Sequence, residues 1–277
     1  MRKAVFFALL YGAFFMLTLS LALFYSSHIS ESERTAVDGK KYMKFSYVAD
    51  DVGTDILSLL GIEKIALGRN GSVSEISITE RLPSPYADPD YELSRYGEFA
   101  EGEYAKRNNL QGKISLETGA LGSPFIYFSG PEFNYSYSGL GKSGSLFVAG
   151  PSLEKISVSI SSGKDAIQAC GWTQLSSGSM EAVVDFNSPN CMRQTPSINA
   201  LAPSSFWANT SSGKYINLTF GVADGNFYAL KIAPDSVPLE VQINVSYSYE
   251  GPVSAYLPAG ITYSDGYSLS ALPIVKN

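Results

Sequence analysis

The sequence is poor in the residues that carry most enzyme chemistry. Histidine occurs once in 277 residues, as His28. A single imidazole excludes His-rich metal sites and most Ser-His or Cys-His arrangements. Cysteine occurs twice, at Cys170 and Cys191, too few for a structural zinc site without further ligands nearby. Charge is also scarce, at 17% of residues against the usual quarter. The balance of 20 basic and 26 acidic side chains gives a net charge of -6. That sign argues against a sequence-independent nucleic-acid binder, which needs a basic footprint. What is not lacking is apolar material, at 45%, enough to build a core.

The missing charge is unevenly distributed. Residues 26–110 hold 10 bases and 15 acids, whereas the longer stretch 111–277 holds only 8 and 11. Residues 4–25, AVFFALLYGAFFMLTLSLALFY, hold none. As a helix this run spans roughly 33 Å, enough to cross the hydrocarbon core of a bilayer. Arg2 and Lys3 precede it, and Glu31 and Glu33 lie beyond it, so the positive-inside rule leaves residues 1–3 in the cytoplasm and sends the rest outside. A cleaved signal peptide is the competing reading, with Ser20-Leu21-Ala22 as a small-x-small site. The apolar run continues past that site to Tyr25, which favours a retained anchor. Both readings export the remainder of the chain.

Beyond the anchor, residues 26–61 read as a helical stalk. Phe45, Val48, Val52, Ile56 and Leu59 recur at steps of three and four, one face of an amphipathic helix. Gly61 suits the stop. Residues 62–110 read as a hairpin plus a helix. Asn70-Gly71 is a type I′ turn signal between Ile65–Leu67 and the alternating Ile76 and Ile78. Asp88 and Pro89 then open a helix reaching about Asn108, with Leu93, Tyr96, Ala100 and Tyr104 on its inner side. From 111 to 277 the helical period disappears. Short runs rich in Tyr, Ser, Thr and Val recur between turn residues, at Lys113–Glu117, Phe125–Phe128, Phe133–Ser138, Ser145–Ala149, Lys155–Ser161, Ala182–Asn187, Tyr215–Val222, Phe227–Ile232, Leu239–Tyr249 and Gly266–Ala271. The predicted class is α+β: a transmembrane helix, an amphipathic helix, one additional helix and a mainly antiparallel β-sandwich outside the cell.

Two further features suit an exported domain. Cys170 and Cys191 outside the cell favour one disulfide over two buried thiols, closing a loop worth roughly 3 kcal/mol on a chain-entropy basis. N-x-S/T acceptor sites for glycosylation occur at Asn70, Asn134, Asn209, Asn217 and Asn244.

Motifs that imitate chemistry are incomplete. Gly139-Leu140-Gly141-Lys142-Ser143 resembles the end of a phosphate loop, but Ser136 stands where the first glycine is required. Ser161-Ser162-Gly163-Lys164 matches S-x-x-K without its companions and reads as a polar turn. Asp88, Asp90 and Glu92 alternate like cation ligands, yet lack the length and glycine of a calcium loop. Glu181 and Asp185 remain as glycosidase carboxylates only by elimination. No catalytic residue, metal ligand or cofactor is expected, and the chain does not read as an enzyme.

The N-terminal pattern resembles the archaeal type IV pilin-like surface proteins. Arg2-Lys3-Ala4 before Val5 is similar to the basic-basic-small sequence cut by prepilin peptidases, and the hydrophobic helix follows at once. The extension KFSYVADDVGTDILSLLG, Lys44–Gly61, then leads into a β-rich domain. The resemblance implies a single-pass cell-surface protein whose partners are the lipid bilayer and other pilin-like subunits, met through the N-terminal helix. Leu9 stands at the fifth position after the expected cut, where many pilins have Glu, so a minor or unprocessed relative fits better than a major filament subunit. The alternative is an adhesin-like module that binds surface glycans, with Tyr135, Tyr137, Tyr247 and Tyr249 sharing strand faces.

Overall fold

In the computed structural model, residues 16, 18–21, 23, 24, 40–86, 89–107, 114–117, 125–129, 133–138, 143–148, 153–223, 226–257, 260–263, 267–269 and 272–276 are described. Two compact units are present, 1–48 and 49–277. In the first, residues 16, 18–21, 23 and 24 are helical and exposed. Helix α1 occupies 40–59, of which 40–48 belong to the first unit. The predicted stripe is largely present: Phe45, Val48, Val52 and Ile56 are buried. At its end Leu60 is buried, and Leu59 is half-buried. The helix closes at Gly61, whose φ of 84° lies in the left-handed region and whose N–H donates to Ser58 O at 3.0 Å. The Gly61 carbonyl accepts from Arg81 N at 2.8 Å. A Cβ on Gly61 would stand 2.8 Å from that Arg81 carbonyl and 2.9 Å from Pro85 Cδ, so the chain turns there against backbone.

The second unit is built mainly from two sheets. The six-stranded sheet runs β1 (Ile62–Asn70), β2 (Val73–Leu82), β14 (Leu239–Ser248), β7 (Leu153–Ser161), β9 (Ser177–Asp185) and β10 (Ser197–Ile198). The nine-stranded sheet runs β18 (Leu272–Lys276), β15 (Ser254–Leu257), β4 (Phe125–Ser129), β5 (Phe133–Ser138), β6 (Ser143–Val148), β13 (Asn226–Ala233), β12 (Tyr215–Ala223), β11 (Ser204–Thr210) and β8 (Ile167–Gln174). A small third sheet holds β17 (Tyr267–Leu269), β16 (Gly260–Tyr263) and β3 (Ile114–Glu117). The pairings are antiparallel except β7 with β9. That exception has a simple origin: the chain leaves β7 for β8 in the other sheet and returns to β9, which restores its direction.

The hairpin β1–β2 does not precede the sandwich but belongs to its sheet, because β2 pairs along its whole length with β14. Its turn is also displaced from the predicted one. Asn70 pairs with Val73, leaving Gly71-Ser72 as a two-residue loop with positive φ only at Gly71. Glycine at the first central position marks type II′ rather than I′.

Alternation places the core between the two large sheets. On β14, Leu239, Val241, Ile243, Val245 and Tyr247 are buried while their neighbours face outward. Phe133 of β5 meets Tyr247 edge-on, with ring centroids 4.6 Å apart. Phe186, just after β9, stacks on Phe206 of β11 at 5.8 Å. Tyr135 of β5 donates its phenol hydrogen across the interface to the fully buried Glu80 of β2. Gly144 of β6 gives that pair room, since a Cβ there would overlap the Tyr135 hydroxyl.

Helix α2 (Pro89–Phe99) continues through a π-helical stretch, Ala100–Tyr104, into α3 (Ala105–Arg107). The expected helix is therefore present, with Leu93 and Ala100 buried and Tyr96 and Tyr104 half-buried. The two tyrosines reach α1: Tyr96 donates to Asp55 at 2.7 Å, and Tyr104 donates to Asp51. Asp51 and Asp55 are one turn apart, so the contact reads as an antiparallel clasp.

Candidate functional site

The two cysteines meet. Cys170 on edge strand β8 is bonded to Cys191 in the segment leaving β9, with an S–S distance of 1.98 Å and Cα atoms 5.5 Å apart. The bond ties the nine-stranded sheet to a segment that leaves the six-stranded one. Asn190 Nδ2 donates to Ile167 O at 3.1 Å beside it. Trp172, two residues on, packs against Phe206 and Phe220 at 5.1 and 5.6 Å, extending the aromatic core to this edge.

The glycosylation acceptors differ in access. Asn70 and Asn217 are exposed, and Asn134, Asn209 and Asn244 are half-buried. Asn209 Oδ1 accepts from Ala169 N at 2.8 Å, which holds that side chain to β8. Because Asn70 is the last residue of β1 and not a turn residue, the tight turn does not confine its side chain.

Arg2, Lys3, Ala4 and His28 lie outside the described residues, as do Asp88, the 139–142 segment and most of the 4–25 run. Among the described residues no helix is long and apolar enough to cross a membrane. The described part of that run leaves Met16, Leu19, Leu21, Leu23 and Phe24 exposed.

The tyrosines do not form the surface that strand alternation suggested. Tyr135 and Tyr247 are core residues, 1% and 0% exposed. Burial raises both phenols, the Tyr247 hydroxyl to about 12 and Tyr135 well above its ordinary value, where Glu80 adds to the shift. Desolvation, reinforced by the hydrogen bonds to Asp55 and Asp51, likewise raises Tyr96 and Tyr104. All four phenols are therefore neutral at physiological pH, and Tyr135, Tyr96 and Tyr104 donate to carboxylates. Tyr249 is half-buried, and Tyr137 lies on β5. Exposed aromatics include Tyr42 and Tyr47 on α1, Tyr91 on α2 with the Arg95 guanidinium 5.7 Å from its ring centre, and, on the sandwich itself, Tyr127 of β4 and Tyr215 of β12.

The carboxylates separate. Glu181 pairs with Lys155 at 2.9 Å on the outer face of the six-stranded sheet. Asp185 instead accepts from Asn187 N at 2.9 Å and lines a groove on that face with Glu63 and Glu240. The trace of this groove in the sequence is the alternation of Ser157, Ser159 and Ser161 along the predicted strand Lys155–Ser161. Among the described residues no group of three His, Cys, Asp or Glu side chains could hold a metal ion. Ser161-Ser162-Gly163-Lys164 forms a turn, with Asp165 N donating to Ser162 O at 3.1 Å. Asp90 and Glu92 lie in the first turn of α2, where acids complement the helix dipole.

In the comparisons with known proteins, no family model, no curated protein and no solved structure matches this chain.

Proposed function

We propose that the chain is a membrane-anchored, pilin-like surface protein that displays its β-sandwich outside the cell. Residues 4–25 act as the anchor, the N-terminus is cytoplasmic, and residues 26–61 form the stalk. The observation that carries this reading is the exposed apolar side chains in the uncharged run. At about 100° per residue, Met16, Leu19, Leu21, Leu23 and Phe24 spread over more than half of the helix circumference. A helix apolar on so many sides suits lipid or neighbouring helices, not a one-sided core contact. The disulfide supports an oxidising location for the sandwich. Glycans on Asn70 and Asn217, the two exposed acceptors, would suit the same location.

The N-terminal helix would pack against lipid and against other pilin-like subunits. Leu9, in place of an acid, removes the charge that would neutralise a neighbour's N-terminus, so the expected assembly role is that of a minor component. Intact-mass measurement of the native protein tests the reading. A chain lacking residues 1–4 supports prepilin-type processing. A chain beginning at Met1 and recovered with membranes supports an unprocessed anchor. A chain beginning after Ala22 and free in the medium overturns the anchor.

A further inference from the structure

The groove on the outer face of the six-stranded sheet has a volume of about 410 Å³ and draws its lining from five strands or their ends. That volume falls in the usual range for small-ligand sites, ~300–1,000 Å³. Strand register makes it an ordered row. Thr79 on β2 pairs with Gln242 on β14, Gln242 with Ser159 on β7, and Ser159 with Asp185 on β9. Neighbouring strands lie roughly 4.8 Å apart, so the row extends about 14 Å across the sheet. One step along the strands, Glu240 pairs with Ser161 and extends the row into a second rank. The inward neighbours Ile78, Ile160, Val241 and Ile243 are buried, which fixes this face as the outer one. The two rims are held in place: Glu63 is paired with Arg81 Nε at 2.7 Å, and Asn187 is held by Asp185.

The lining selects its ligand by chemistry. Thr79, Ser159 and Ser161 offer hydroxyls, and Gln242 and Asn187 offer amides. Asp185, Glu240 and Glu63 offer carboxylates, and no Lys or Arg side chain lines the groove. Phosphate, sulfate or acidic sugars would meet three carboxylates, and the one cation beside them, Arg81, is already paired with Glu63 at the rim. An apolar ligand would strip water from these polar groups without replacing their hydrogen bonds. A neutral polyhydroxylated ligand fits both halves of the set: its hydroxyl hydrogens donate to the carboxylates, and its oxygens accept from the amides.

We propose that the groove crossing β1, β2, β14, β7 and β9 binds a short neutral oligosaccharide. This site is independent of the anchor and does not rest on pilin-like assembly. It differs from a tyrosine-faced glycan site, because Tyr135 and Tyr247 are core.

The test uses the full chain in detergent micelles, titrated with neutral trisaccharides of glucose, mannose and N-acetylglucosamine, and with a sulfated trisaccharide as the acidic counterpart. At least one neutral trisaccharide should bind, and the sulfated one should bind more weakly. Gln242→Ala removes an exposed side chain at the centre of the row and should weaken binding about fivefold, the loss of roughly one hydrogen bond. Ser159→Ala, at the adjacent position, should weaken it too. Ser157→Ala, on the same strand and face but outside the groove lining, should leave it unchanged. The proposal is overturned if none of the three neutral sugars binds below about 10 mM. It is equally overturned if the sulfated sugar binds more tightly, or if Gln242→Ala and Ser159→Ala both bind as the parent does.

Discussion

Replacing Gly61 by alanine probes the joint between helix α1 and strand β1. Gly61 has φ 84°, and an L side chain in the left-handed region costs about 1–2 kcal/mol. A second term is local. The new Cβ would stand 2.8 Å from Arg81 O and 2.9 Å from Pro85 Cδ, and neither is the far end of a flexible side chain. Overpacking of this kind costs about 1–3 kcal/mol. Gly61→Ala should therefore lower stability by about 2–5 kcal/mol. Gly213→Ala supplies the control, because Gly213 has φ 76° but nothing within 4 Å of a built Cβ. It should lose only the conformational term, about 1–2 kcal/mol. Urea unfolding followed by the fluorescence of Trp172 and Trp207, both in the sandwich, reads the two variants on the same probe. Equal losses in both variants would refute the steric part of the reasoning, and a neutral Gly61→Ala would refute all of it.

Three other outcomes follow from the core. Replacing Cys170 and Cys191 by serine removes a loop closed over a separation of 21 residues, and should destabilise the sandwich by about 3 kcal/mol in the same urea assay. Tyr135→Phe deprives the buried Glu80 of a phenol donor and should cost about 1–3 kcal/mol, with Glu80→Gln costing less because the amide oxygen still accepts. Alkaline pH should destabilise the fold, since Tyr135 and Tyr247 have raised values in the folded state. Stability is fully present below the unfolded value near 10 and falls as pH rises towards about 12, through the folded value of Tyr247. The slope is about 1.4 kcal/mol per pH unit for each phenol that stays neutral. A urea midpoint that holds constant from pH 10 to 12 would contradict both burial assignments.

The elements legible in the sequence were those whose pattern is local. The α1 stripe could be read because its apolar residues recur every turn, and Gly61 marked its end. Strand β5 could be read at its full length, Phe133–Ser138, from alternation alone. Strands β8 and β11 were not legible. The sequence IQACGWTQ has little alternation, because this edge strand is held by β11 and the disulfide. Strand β11 does alternate in burial, but its inward residues include Ser204 and Thr210, so the polar core positions hide the period. The same limit applies to the groove. Thr79, Gln242, Ser159 and Asp185 are separated by up to 163 positions in the chain, and only sheet register aligns them. Sequence likewise could not separate core tyrosines from surface ones, because alternation names a face without saying which way it points.

Protease treatment of intact cells tests most directly whether the sandwich is displayed outside the membrane. With the anchor in the bilayer and the sandwich outside, added protease should digest or release residues 49–277 while the N-terminal segment stays with the membrane. A full-length chain that remains protected until the cells are lysed would contradict display outside the cell.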